Sequence, residues 1–506
     1  MAAAGSVGTC ARVIPLSMRI LDISIIVVYL AGITWFGARF SRSQNSLKDY
    51  FLGGRTAPWW AIALSIVSAE TSTLTIIGTP TLAFAGNLAF LQVVFGYLLA
   101  RLVISALFLP HYFRGEMYTA YELMQLRFGA RIRRLTAGTF LVIRALAEGV
   151  RVFAISIVIS IVLGTGEVAS IVLIVLLTLF YTFEGGMTAV IWTDVVQMAL
   201  YVLGAAISFI VILQQVPGGW GHVAAMAAPL GKLRIFDFGF EWTPTFFSRT
   251  YTFWSGLVGG CFLTTASHGT EQLMVQRLLA ARSERESRAA LFASWAVILV
   301  QFTLFLLIGV SLWVLYSERG IPAPQPPDRL YPGFVWNYLP PGIAGLVVAA
   351  ILAAAMSNLS AALNALASTT IMDFYRPLRH AAAGDRAAED RSQLRLARGA
   401  TIAWGLVLLA IATVARHWGP VLEAGLTVAS IAYGGLLGVF LLGLLPRRIP
   451  ESAAIIGMVA GVALVVFVRL DTHIAWTWYV AIGTLMTFIT ALAVSLFLKE
   501  PTREPR

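Results

Sequence analysis

The sequence predicts an all-helical integral membrane protein, and three observations carry that prediction. Apolar runs of about 20 residues, the length that crosses a hydrocarbon core, recur from end to end. Only 12% of the 506 residues are charged and 58% are hydrophobic, with a mean hydropathy of +0.81. The stretch Trp59 to Gly86 is apolar at both ends yet packs Ser68, Glu70, Thr71, Ser72, Thr73 and Thr75 into its middle, ahead of Gly78 and Pro80. A helix facing lipid does not carry such a centre, because backbone and hydroxyl groups left unpaired in hydrocarbon are costly. Hydroxyls followed by Gly and Pro suit a helix broken at Gly78 and Pro80 around a polar cavity near the bilayer midplane.

Thirteen spans follow in order: 20–39, 59–85, 88–109, 135–163, 167–183, 189–213, 251–276, 289–315, 342–372, 399–416, 420–445, 452–469 and 474–498. The first, Leu21 to Ala38, is long enough to span and is followed by Arg39 and Arg42, which sets it apart from a cleavable signal. No polar stretch is long enough for a soluble domain, so residues 1–506 form one transmembrane domain. Cys10 and Cys261 give neither a disulfide framework nor a metal-ligand spacing.

An odd number of spans puts the termini on opposite sides. Of the 36 Lys and Arg, 24 fall on loops 39–57, 110–134, 277–288, 373–398, 446–450 and the tail. Nine fall on the other side, and Arg101, Arg144 and Arg151 lie within spans. The positive-inside rule then places the N-terminus outside and the C-terminus inside. The net charge of +11 follows topology and implies no nucleic-acid partner. The two longest polar stretches, Gln214 to Thr250 and Tyr316 to Pro341, fall outside, and the basic run Arg376 to Arg398 falls inside as a connector.

Spans two to six and seven to eleven read as two halves of five. The second and seventh are both interrupted by polar residues, the seventh around Gly269, and the fourth and ninth are both near 30 residues long. Matching irregularities at matching places mark inverted repeats, because an odd number of spans per half reverses the second half. The parsing is a leading helix at 20–39, repeats at 59–213 and 251–445, and two trailing helices at 452–498.

Several charges sit inside spans, where each is expensive and is by default a functional candidate. Glu148 lies four residues after Arg144 and three before Arg151, a spacing that allows a self-neutralising triad on one helix face and equally allows Arg151 or Glu148 to hold a charged or hydroxylated solute. Glu70 is open to the same two readings. His268 with Glu271 one turn on suggests a proton relay. Ser357, Ser360, Asn364 and Ser368 recur on one side of the ninth span, which fits close helix packing.

Four ordered motifs carry a resemblance: FLGGRTAPWW at Phe51 to Trp60, YTFEGGMTAVIWTDVVQ at Tyr181 to Gln197, GTEQLMVQR at Gly269 to Arg277, and AAAMSNLSAALNALASTTIMDFYRP at Ala353 to Pro377. Together they resemble the sodium/solute symporter family over about residues 20 to 450. The resemblance implies a leucine-transporter-type 5+5 inverted-repeat core and sodium-coupled transport by alternating access in the cell membrane. It implies a sodium site built from carbonyls of Ser68 and Thr71 with Ala354, Ser357 and Asn358, the last standing where the family usually has Ser or Thr. It also places Asp194 on the inner ion-release path beside Ser360, where Ala361 replaces a second serine and points to one sodium per solute.

Solute contacts are expected from Thr73, Thr75, Gln92, Glu148, Arg151, Thr265, His268 and Glu271. A sugar or hydroxylated organic acid fits this mixture of hydroxyls, amides and few charges. A proton-coupled transporter of the same fold and a transporter-like solute sensor are the competing readings; the sensor's usual mark is a cytoplasmic kinase-type domain, and only eight residues follow Leu498. No catalytic set is present, so an enzyme is not expected.

Overall fold

The computed structural model describes residues 16–40, 55–114, 120–181, 187–375 and 386–498, and these are almost entirely helical. The helices that build the bundle are α1 (Leu16–Phe40), α2 (Trp59–Glu70), α3 (Thr73–Ala85), α4 (Leu91–Val103), α5 (Ala130–Leu163), α6 (Glu167–Tyr181), α7 (Met187–Gln215) and α8 (Phe253–Gly269). They continue with α9 (Gln272–Leu279), α10 (Glu284–Arg319), α11 (Ile343–Thr369), α12 (Arg386–Ala415), α13 (Val421–Leu444), α14 (Glu451–Asp471) and α15 (Tyr479–Ser495). Helices are what such a sequence must form in lipid, since each closes its own backbone hydrogen bonds.

Every one of the thirteen expected spans coincides with a helix or a helix pair. Among the described residues nine helices are long and apolar enough to cross a membrane alone, and α2 with α3 makes a further crossing bent by 65°. The apolar parts of α6 and α12 are shorter, and α8 with α9 is the second interrupted span. Much of the expected basic connector is helical instead, because α12 begins at Arg386; residues 376–385 lie outside the described ones.

The first interruption lies at Thr71 and Ser72, and not at Gly78 and Pro80 as the sequence suggests. Pro80 is accommodated inside α3, while Gly78 is a contact point where an added Cβ would meet Leu422 Cβ of α13 at 2.5 Å. The run Ser68 to Thr75 breaks the helix because its hydroxyls and turned backbone supply alternatives to the regular ladder.

Packing repeats between the halves. α10 lies on α2 and α3, as α4 lies on α8; α7 packs on α2, as α13 packs on α8. α5 meets α12, as α11 meets α6; α7 meets α11, as α13 meets α5. The bundle is therefore a 5+5 inverted-repeat core of the leucine-transporter type. α4 and α8 cross so closely that a Cβ on Gly260 would lie 2.2 Å from the Val93 carbonyl oxygen, which is why small residues line that crossing. α1 packs on α11 and α7, while α14 and α15 pack on each other and on α13.

At the outer end, the short turn Pro327–Arg329 seats buried Asp328 against the start of α13, where Asp328 Oδ2 accepts from the Val421 N–H at 3.1 Å. Its other oxygen has no hydrogen-bond partner among the described residues, and burial pushes the carboxyl up to about 6 from 3.8. The folded state thus binds a proton that the unfolded chain releases. Thermal stability of the solubilised protein is expected to rise as pH falls through about 6, with the gain complete below about 4. Asp328→Asn, which keeps an acceptor for Val421, should flatten that rise; an unchanged pH profile would remove Asp328 as its source.

Candidate functional site

A cavity of about 150 Å³ opens between the two interruptions and is walled by α2, α3, α4, α5, α8, α9, α10 and α13. Its polar wall contains Glu70, Ser72, Thr75, Arg144, Arg151, Thr264, Ser267, His268 and Glu271, and its apolar wall includes Phe90 stacked on Phe302 at 5.2 Å. Both broken helices turn a glutamate into this space. Glu70 ends α2 and Glu271 precedes α9.

Each glutamate is held by an arginine from a neighbouring helix. Arg101 of α4 is fully buried and reaches Glu70 Oε2 at 3.0 Å, with its remaining donors on the Leu291 and Tyr97 carbonyls and the Ser294 hydroxyl. His268 Nε2 approaches the same Glu70 oxygen at 3.2 Å. Glu271 takes Arg144 at 3.0 Å on one oxygen and the Tyr433 hydroxyl at 2.6 Å on the other. Arg144 also reaches Glu148 at 2.8 Å, and Arg151 pairs with that same Glu148 oxygen.

Three arginines thus face three glutamates, and the partners differ from those expected. The self-neutralising triad on α5 forms, but Arg144 also spans to α9. His268 meets Glu70 instead of Glu271, because the break at Thr270 turns Glu271 off the axis of α8 toward α5 and α13. Arg151 is the least committed of the three: its side chain is 25% exposed on the cavity wall, and among the described residues Glu148 is its one carboxylate partner.

Of the other residues expected at the solute, Thr75 lines the cavity, whereas Thr73 and Thr265 are buried beside it and are not part of its wall. Gln92 is drawn elsewhere. Its amide donates to the Ala89 and Tyr251 carbonyls and accepts from the Asp237 N–H at 2.9 Å, which fastens the loop before α8.

At the inner end of the cavity, Asp194 of α7 is buried and binds Arg277 of α9 at 3.0 Å and the Ser65 hydroxyl of α2 at 2.6 Å, with the Ser68 hydroxyl at 3.5 Å. Arg277 Nε also donates to Ser65 at 2.9 Å. This cluster joins both inner half-helices to α7. Arg277 stands in a recognised motif, but nothing in sequence spacing pairs it with a residue 83 positions away.

The break also frees two carbonyls. The Ser72 N–H, which would close a helical bond onto Ser68, goes to Glu70 at 3.1 Å, and the Thr75 N–H, which would close onto Thr71, goes to Ser72 at 2.9 Å. On α11, Ala354 is buried, Asn358 is half-buried, and the buried Ser360 hydroxyl has no hydrogen-bond partner among the described residues. The side chain of Ser357 lies outside the described ones. Free carbonyls and an unpartnered hydroxyl are oxygen donors of the kind a hard cation takes.

A model of the sodium:solute symporter family matches residues 50–461. The chain belongs to the sodium:solute symporter family. Among relatives of this symporter, the sodium/sialic acid symporter SiaT of Proteus mirabilis is 27% identical, with 96% of each chain covered. The sodium-coupled monocarboxylate transporter 1 of Homo sapiens is 28% identical over 88% of this chain and 72% of that one. A solved structure of a Na+-coupled sialic acid symporter in its substrate-bound, outward-open state superposes with a TM-score of 0.80 at 26% identity, covering 95% of this chain and 98% of that one. The symporter is thus a multi-pass membrane transporter, not an enzyme, and sodium is its coupling ion.

Proposed function

We propose that this symporter imports, with sodium, a small organic acid that bears one carboxylate and neighbouring hydroxyls. The observation that carries the reading is Arg151, a guanidinium on the cavity wall whose side chain is 25% exposed and whose one carboxylate partner among the described residues is Glu148, while Arg144 bridges two glutamates and Arg101 is fully buried on Glu70. A planar guanidinium fork suits a carboxylate. The hydroxyls of Ser72, Thr75, Thr264 and Ser267 surround the same space and suit a hydroxylated body. The relatives' names fit this chemistry, since a monocarboxylate and sialic acid each carry one carboxylate.

Sodium is assigned to the freed carbonyls of Ser68 and Thr71 with Ala354, Ser357 and Asn358, on the inner side of the solute. Asp194 and Ser360 lie on its way out, and Arg277 holds that path shut by pairing with Asp194. The repeats 59–213 and 251–445 are the bodies that rock about the site, with the N-terminus outside and the C-terminus inside.

The test is uptake of a panel of labelled monocarboxylates, sugar acids and neutral sugars into liposomes, with sodium, potassium and proton gradients compared. Sodium-dependent uptake of an acid is expected. Ser357→Ala and Asn358→Ala should each weaken sodium activation by about 1–3 kcal/mol, the cost of an unmet buried polar partner. Uptake that ignores sodium and follows the proton gradient would defeat the sodium assignment and promote the Glu70 and His268 pair. Sodium-dependent uptake of neutral sugars alone would leave Arg151 without its role.

A further inference from the structure

The segment between α7 and α8 reads in the sequence as an aqueous loop, but its side chains are sorted the other way. One of its charges turns inward: Lys232 Nζ donates to the Phe84 and Gly86 carbonyls at 2.8 and 3.2 Å, at the end of α3, with the ammonium 4.6 Å from the Trp313 ring centre, while Arg234 and Glu241 stay exposed. Its aromatic rings turn outward. Phe236 is 41% exposed, Phe238 60%, Phe240 55% and Trp242 82%, four aromatic rings gathered in one short strip and not scattered singly.

The position of the strip says what the partner is. It lies at the level where α3 ends, α8 begins and α14 ends, and the Ala475 N–H donates to the Phe247 carbonyl at 2.9 Å, tying it to the turn before α15. It is also continuous with a lipid-facing surface: Phe238 stacks on Phe236 at 5.3 Å, and Phe236 stacks on Phe95 of α4 at 5.6 Å. One and two turns further along α4, Leu99 and Leu102 are exposed on the same helix face.

We infer that residues 236–242 dock in the headgroup layer of the outer leaflet, with phospholipid as their partner. Tryptophan is favoured at that depth because its ring leaves water while its N–H stays hydrated, and the phenylalanine rings beside it leave water with it. Through Lys232 and through the Asp237 N–H on Gln92, the same segment grips α3 and α4. The outer half of the broken span is in this way fastened to the bilayer surface.

The test is spin labelling in a background with Cys10→Ser and Cys261→Ser, reconstituted in phosphatidylcholine and phosphatidylglycerol vesicles. A nitroxide at Phe240→Cys is expected to collide more with oxygen than with a water-soluble nickel chelate. A label at Glu318→Cys, at the same end of the bundle, should show the reverse. Nickel collisions at 240 that match those at 318 would overturn the proposal, as would spin broadening that dilution with unlabelled protein removes, which would reveal a second copy as the occupant. Should Phe240→Cys fail to assemble, Trp242→Cys gives the same reading, because its exposed side chain is not needed for packing.

Discussion

Arg144→Ala is expected to abolish stable folding, whereas Arg151→Ala should yield folded protein that no longer takes up its solute. Arg144 bridges two buried glutamates on different elements, Glu148 of α5 and Glu271 before α9. Removing it leaves Glu271 with only the Tyr433 hydroxyl among the described residues and leaves its charge uncompensated where little of the side chain meets water. Breaking such a pair costs about 3–5 kcal/mol, a large share of the stability of any protein. Arg151 shares Glu148 with Arg144, so its loss leaves Glu148 still paired while taking away the more exposed of the two guanidinium groups on the cavity wall. Thermal unfolding in detergent and uptake in liposomes separate the two effects. Folded Arg144→Ala protein together with unfolded Arg151→Ala protein would reverse the assignment of the two side chains.

Arg277→Met is expected to destabilise the protein by about 3–5 kcal/mol, since it strands the Asp194 carboxylate among Ser65, Ser68 and apolar helix faces. Adding Asp194→Asn should recover much of that stability, because the neutral amide keeps an acceptor for Ser65 and needs no counter-charge. The double-mutant cycle over thermal stability measures the coupling directly. Additive losses would mean that the two side chains act independently and that the inner end of the cavity is held by other contacts. Neither single variant should retain tight coupling of solute to sodium, since both open the joint between α2, α7 and α9.

Thirteen membrane-crossing segments, the way they alternate, and the interruption of two of them could all be read along the chain. These are properties of local composition: a run of about 20 apolar residues can do little else in lipid, and charge counts on loops need no three-dimensional knowledge. Ser68 and Thr71 entered as sodium ligands only through the resemblance to a family, since the composition of the span pointed to a break at Gly78 and Pro80. The tertiary structure decided where the break falls and who pairs with whom. Gly78 looked like a helix breaker but is a contact with Leu422, and Gln92 looked like a solute ligand but holds the loop at Asp237. Arg144 with Glu271, His268 with Glu70 and Arg277 with Asp194 join residues far apart in the chain. Spacing along one helix reports only neighbours three or four residues away, whereas a buried charge takes whichever opposite charge the packing of separate helices brings within reach.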